Sequence, residues 1–426
     1  MKKIELKGLD LTIQYEKLED GLELYFIPMP YKTNYFITYA TKFGSLITDF
    51  VPIGSKKMVK VPDGIAHFLE HKMFEQEDGI DPFTFFSKTG TGSNASTSYD
   101  FTQYICYGTT NIENNLDFLI SFVDSPYFTD TNVEKEKGII AEEIKMYDDI
   151  PEYVLDFEMR KCALKSFPMR VDVAGTIKEI NKITKEDLYL CYKNFYRKDN
   201  MFIIAAGNIE NVETLKDIAK NHIHKTKPVN IKIKDYHEPD EINIPYKELK
   251  MNVILPKVGL ILKINKKDLG IEDDALLSMY LQMFNTLVFG YSSDFREELR
   301  KEQLTVSFYT EWQTADKHKL FLIQAETDKP DTLLERIREK LKDISLNKED
   351  FDRMKKVWVA NEVKASDNVE TTVNNIFYDL ITYNKVLDNR IDCIKSLNFE
   401  TLNKIIEKIN FDNIAEIRIL PKDKTK

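Results

Sequence analysis

Between about residues 221 and 248 the chain reads NHIHKTKPVNIKIKDYHEPDEINIPY, with three prolines, many charges and little apolar periodicity. A stretch of this kind builds no core of its own, so it reads as an interdomain linker. It predicts an N-terminal domain over 1–220 and a C-terminal domain over 249–426. The order of expected elements partly repeats on the two sides. Ahead of the linker, residues 22 to 48 suggest two strands joined at the Pro28–Tyr31 region, and IAHFLEHKMFE runs as a helix after the Pro62–Asp63–Gly64 turn. The Gly-rich TGTGSNAST then leads into the strand-like SYDFTQYICYGTT. One long helix is expected over TNVEKEKGIIAEEIKMYDDIPEYVLDFEMRKCAL, a capped helix at Thr184, and a buried strand in MFIIAAGN. Beyond the linker come the strand VGLILKI, a long helix in DDALLSMYLQMFNTLVF, the strands TVSFYTEW and KLFLIQAET, and more helices. The repetition predicts a duplicated α+β fold.

Composition narrows the partners. Of 426 residues, 42% are hydrophobic and 31% charged, which suits a globular chain with ample core. A net charge of -10 argues against nucleic acid or an anionic membrane surface, since both attract basic proteins. The N-terminus lacks the apolar run of a secretory signal, and no window reaches the eighteen or more apolar residues of a membrane span. These features predict a cytoplasmic protein. Cys106, Cys162, Cys191 and Cys393 are scattered without ligand-like spacing and are expected to be reduced core thiols.

The chemistry concentrates in HFLEH, residues 67 to 71. On a helix, His67, Glu70 and His71 project from one face while Ile65, Leu69 and Met73 lie largely elsewhere. Two imidazoles one turn apart can hold a single Zn²⁺, and a glutamate between them can take a proton from water whose pKa the ion lowers. The order HxxEH is the inverse of the HExxH zincin motif. A catalytic zinc normally takes a third protein ligand. EKEKGIIAEEIKMYDD offers Glu136, Glu142 and Glu143. Glu136 and Glu143 are seven apart, two turns along one helix face, so one could ligate while the other sits behind it. His222 and His224 read as surface residues of the linker, and His237 and His318 have no partner at ligand spacing.

GIAHFLEHKMF, GSNASTSYDFTQY, EKGIIAEEIKMYDDIP and AGTIKEINKITKEDLYLCYKNFYRKDNMFIIAAGN, in that order, resemble the pitrilysin/insulinase family of zinc peptidases, the inverzincins. Within it the chain is similar to small bacterial two-domain members related to the mitochondrial processing peptidase. The resemblance implies one zinc ion per chain, held by His67, His71 and Glu143, with Glu70 as general base. Glu136 matches an acid behind the ligands, and Glu142 is set aside. Asn94 and Ala95 match an edge-strand pair beside an extended peptide substrate. The implied fold is two similar domains, each a mostly antiparallel sheet with helices packed on it, facing each other as a clamshell.

Family members also bring an arginine and a tyrosine from the second domain. Here FREELRKEQLTVSFYTEW holds Arg296, Arg300 and Tyr309. The usual glycine after the arginine-bearing helix is missing, and the expected tyrosine place falls near Val306 or Ser307. Two readings follow: Arg300 and Tyr309 serve by a local shift, or a partner chain, in a homodimer or a heterodimer, supplies the pair. The functional expectation is a metalloendopeptidase acting on peptides or unfolded segments. The alternative is a peptide-binding scaffold subunit that does not cut.

Overall fold

The computed structural model describes residues 1–224 and 228–422; positions 225–227 of the expected linker and the last four residues lie outside the described residues. The chain divides into two compact units, and neither is continuous in sequence. One comprises Met1–Ile144, Asp172–Asp235 and Asn361–Asp392; the other comprises Lys145–Val171, Tyr236–Ala360 and Cys393–Lys426. The contiguous division into 1–220 and 249–426 therefore differs from the observed one, in which each unit takes a segment from the far half of the sequence.

The first unit is built on a seven-stranded sheet of β1 (Lys2–Glu5), β2 (Thr12–Lys17), β3 (Glu23–Pro28), β4 (Tyr35–Thr41), β7 (Gly92–Thr97), β8 (Thr102–Gly108) and β9 (Met201–Gly207). A small two-stranded ribbon, β5 (Asp49–Phe50) with β6 (Val59–Lys60), stands beside it. The strand order is β1-β2-β3-β9-β4-β8-β7, and every pairing is antiparallel except β3 with β9. The Gly-rich GSNAST, expected only to lead into a strand, is itself β7. With small residues on a sheet edge it needs no apolar alternation to pair with β8.

The second unit has a five-stranded sheet of β10 (Tyr246–Met251), β11 (Lys257–Asn265), β12 (Ser307–Ala315), β13 (His318–Glu326) and β14 (Ile414–Pro421), in the order β10-β14-β11-β13-β12. Here too only the first strand, β10, pairs in parallel with the last, β14. Replacing β3, β4, β7, β8 and β9 by β10 to β14 in sequence order reproduces the first sheet's arrangement. The duplication read from the sequence is therefore present in the topology.

The helices that matter for the site are α1 (Ile65–Met73), α2 (Pro82–Lys88), α3 (Ile112–Val123), α4 (Asp130–Asp148) and α5 (Pro151–Ala163). The single long helix expected over 131–164 is broken between α4 and α5. Pro151 is the cause, because its ring cannot continue a helix but suits the first turn of a new one. β4 and β9 are buried along their whole length, since both sheet faces are covered. Tyr35, Ile37, Tyr39, Ile203 and Ala205 face one core, while Phe36, Ala40, Phe202, Ile204 and Ala206 face the other. That explains why MFIIAAG reads as a continuous apolar run rather than an alternating one. The second core is closed by the helix Val369–Tyr383, through Val369, Val373, Ile376, Phe377 and Leu380. Reciprocally, α5 packs on β11, where Met159 and Leu155 come so close to Gly259 that a β carbon there would lie 2.6 Å from the Met159 sulfur. Among the described residues no helix is long and apolar enough to cross a membrane.

Candidate metal centre

α1 starts abruptly. Gly64, at φ 88°, sits in the left-handed region, and a β carbon on it would collide with the Ala174 carbonyl. Six of its nonpolar and polar neighbours along the helix, Ile65, Ala66, Phe68, Leu69, Lys72 and Met73, are buried against the core, which fixes the helix's rotation. His67, Glu70 and His71 are thereby turned together toward α4 and β7.

α4 meets them with two acids two turns apart. Glu143 Oε1 lies 3.7 Å from His67 Nε2, and its Oε2 lies 3.4 Å from His71 Nε2. The imidazole centroids are 4.6 Å apart at an interplanar angle of 62°. Glu136 lies deeper, with Oε1 3.1 Å from His71 Nδ1. Glu142, exposed one position before Glu143, is absent from this group of facing donors. Among the described residues, His67, His71 and Glu143 form a cluster whose donor atoms all lie within 4.8 Å of one another.

These donors fit a metal ion. A tetrahedral zinc with bonds of about 2.0–2.2 Å spaces its ligand atoms roughly 3.3–3.6 Å apart, close to the observed separations and longer than good hydrogen bonds. Two imidazoles and one carboxylate form a catalytic donor set that leaves a position open for water. The Nδ1–H of His71 donating to Glu136 leaves the Nε2 lone pair facing Glu143, the tautomer that ligation requires. His67 Nδ1 is buried without a hydrogen-bond partner.

The electrostatics favour neutral ligands unevenly. Burial, helped by neighbouring His71, pushes His67 down to about 3, so its ring is neutral at ordinary pH. Burial works the same way on His71, but the hydrogen bond to Glu136 and the charges of Glu70 and Glu143 outweigh it and raise its pKa. Burial raises Glu70 as well, opposed by a hydrogen bond from Thr97. Glu136 resists its own burial because His71 and Lys72 bond to it, and its pKa is lowered.

Two residues escaped the sequence reading. Thr97, near the end of β7, donates its hydroxyl to Glu70 Oε2 at 2.7 Å and fixes one oxygen of that carboxylate. Lys72 is fully buried and bonds to Glu136 and Glu75. It falls in the apolar stripe of α1, with Leu69 and Met73 around it, and a lysine in a core stripe was the signal available. Asn94 and Ala95 lie on β7, last in the strand order, where the Asn94 side chain accepts from the Ala95 amide at 2.9 Å. Arg300 and Tyr309 belong to the second unit. Arg300, in the helix Asp294–Lys301, pairs with Glu297 and lies over the Tyr291 ring at 4.9 Å. Tyr309, on β12, donates to Glu311 at 2.9 Å. Arg296 donates instead to the Phe308 carbonyl at 2.9 Å.

Comparison with known proteins decides the family. Residues 41–176 match the model for the insulinase family, peptidase family M16, and residues 182–357 match the model described as the peptidase M16 inactive domain. A protein named zinc protease YmfH from Bacillus subtilis is 37% identical over 438 aligned positions, covering 99% of this chain and 100% of that one. The chain belongs to the insulinase (M16) family of peptidases. An M16-like peptidase of Alicyclobacillus acidocaldarius has the same fold, with a TM-score of 0.90 and 28% identity over 98% of this chain and 100% of that one. A β subunit of a mitochondrial processing peptidase from Schizosaccharomyces pombe is 29% identical across 39% of this chain and 37% of its own length. M16 membership accounts for both the duplication and its asymmetry. At the position equivalent to α1 the second unit carries the helix Asp274–Phe289, and that helix contains no histidine.

Proposed function

We propose that the chain is a zinc-dependent endopeptidase of the M16 family, acting on peptides or unfolded segments, with one zinc ion per chain held by His67, His71 and Glu143. The observation that carries this reading is the convergence of two imidazole Nε2 atoms on the carboxylate of Glu143, with Glu70 beside them. A zinc ion held by His67, His71 and Glu143 would supply Lewis acidity to the scissile carbonyl and lower the pKa of bound water. Glu70, held by Thr97 through one oxygen, uses the other to take the attacking water's proton and then passes it to the leaving nitrogen. Glu136 keeps the His71 ring in the ligating tautomer. β7, at the sheet edge beside α1, offers backbone groups to an extended peptide at Asn94 and Ala95, so affinity arises with weak sequence demand.

Glu70→Gln is the direct test. Zinc content should stay at one per chain, and cleavage of a quenched peptide should fall by roughly 10²–10⁴-fold. Normal turnover in that variant removes Glu70 as the base. A chain that binds zinc yet cuts no peptide, alone or with a partner, supports the scaffold reading instead.

A partner chain that completes the site is the second part of the proposal. Arg300 and Tyr309 are each engaged with an acid of their own unit, Glu297 and Glu311, which supports supply of the pair by a related subunit in a homodimer or heterodimer. Size-exclusion chromatography coupled to peptide cleavage tests it: full activity in a monomeric fraction counts against it. A cytoplasmic setting is supported by Cys106, Cys162 and Cys191, which are buried thiols outside any disulfide, and is checked by cell fractionation.

A further inference from the structure

We propose that Lys72 is a positioning residue of the metal centre: it grips the second oxygen of Glu136 and so sets the orientation of the His71 ring. The inference rests on the metal-centre reading above and adds a residue to it.

The geometry is a relay along one carboxylate. Glu136 Oε1 lies 3.1 Å from His71 Nδ1, and Oε2 lies 3.4 Å from Lys72 Nζ, an ion-pair contact longer than the one Lys72 makes with Glu75. The two gripping side chains are adjacent in sequence but about 100° apart around α1, so they reach Glu136 from different directions. With a cation facing one oxygen and the His71 ring at the other, rotation of the carboxylate about its terminal bond lengthens both contacts. Its plane fixes the direction in which the Nδ1–H of His71 points, and hence the direction of the Nε2 lone pair toward Glu143.

The cost of burying Lys72 argues against an incidental role. A lysine is almost never fully buried unless paired, because its charge must give up its hydration. Lys72 is fully buried, whereas its other partner, Glu75, has a side chain that is 38% exposed. If pairing with Glu75 were the purpose, the lysine could reach it at the surface, as i,i+3 pairs do elsewhere on this chain. The buried partner, Glu136, is the one that touches a candidate ligand.

The test is a double-mutant cycle on zinc affinity, measured by chelator competition on the full chain, with peptide cleavage recorded separately. Lys72→Met should weaken zinc binding by roughly 10- to 100-fold, the range typical of lost support behind a ligand. The same substitution on a Glu136→Gln background should cost much less, because the route to His71 is already broken. Wild-type zinc affinity in Lys72→Met, or equal losses on both backgrounds, would overturn the proposal. If Lys72→Met does not fold, as judged by chelator-treated thermal melting, the cycle is run with Lys72→Gln. Its amide keeps a donor, so a smaller loss is expected, again confined to the Glu136 background. Failure of the underlying reading looks different: a wild-type chain that takes up no zinc, or whose zinc survives His67→Ala, removes the metal centre itself. Zinc binding without peptide cleavage removes only the peptidase assignment and leaves the role of Lys72 standing.

Discussion

At the scale of single residues, the site shows how few atoms decide a chemical role. Glu136 and Glu143 lie on one face of α4, yet Glu143 faces both Nε2 atoms while Glu136 reaches the back of His71. The seven-residue spacing placed both acids on that face, and the difference in depth is set by how α4 lies against α1. Thr97 is a second case, with a prediction attached. Its hydroxyl holds Glu70 Oε2 at 2.7 Å, so Thr97→Val, which keeps the shape and removes the donor, should lower kcat by roughly 10-fold or more. Zinc content and KM should change little, and Thr97→Ser should restore activity. If Thr97→Val retains full kcat, the proposed base does not depend on that hydrogen bond. Nothing in GSNAST announced Thr97, because a threonine in a strand is ordinary until the strand is laid beside the helix that carries Glu70.

At the scale of elements, two local arrangements carry predictions. The helix Asp294–Lys301 ends with Gln303 at φ 51°, the left-handed position after a helix, while the Leu304 amide bonds back to the Leu299 carbonyl at 3.0 Å. The family resemblance implied a glycine after this helix, and its absence leaves a side chain in a region that costs roughly 1 kcal/mol. Gln303→Gly should therefore raise stability by up to about 1 kcal/mol in urea unfolding, and a loss of stability would contradict this account. The linker holds the other arrangement. Its charges suggested a solvated stretch, yet the Glu238 side chain is fully buried. Glu238 accepts from the Lys165, Ser166 and Phe167 amides at 2.9, 2.6 and 2.7 Å and from Lys263 at 2.5 Å. Burial alone would raise this carboxyl, but Lys263 and the three amides outweigh it and lower its pKa. A lowered pKa stabilises the fold at pH above the unfolded value of about 4.3, and that stabilisation is lost as pH falls through the folded value. Glu238→Gln should destabilise the second unit by about 3–5 kcal/mol at neutral pH, and by progressively less below pH 4. A pH-independent deficit in the unfolding free energy would refute the assignment.

At the scale of the whole molecule, the two sheets share one strand arrangement, and each is covered by a helix from the other half of the chain. The helix Val369–Tyr383 closes the second core of the first sheet, and α5 packs on β11 of the second. Five buried side chains of Val369–Tyr383 at about 1.5–3 kcal/mol each amount to roughly the full stability of a typical domain. Separately expressed halves cut in the 228–235 region should therefore aggregate or remain unfolded, and co-expression should recover a soluble, zinc-binding complex. Independent folding of the N-terminal half would count against this account. The sequence alone determined most element types, the repeated order of elements and the HxxEH face, because these follow from local periodicity and helical geometry. It also brought the candidates for a third ligand down to Glu136, Glu142 or Glu143. Tertiary structure decided the break at Pro151 into two helices with different destinations, the crossing of a helix from each half of the sequence to the other half's sheet, and the burial of Lys72 and Glu238. It decided as well that the Thr97 hydroxyl meets Glu70. Each of these depends on which groups from distant parts of the chain share a dry interior, and a charge or a hydroxyl looks the same in sequence whether it faces water or a buried partner.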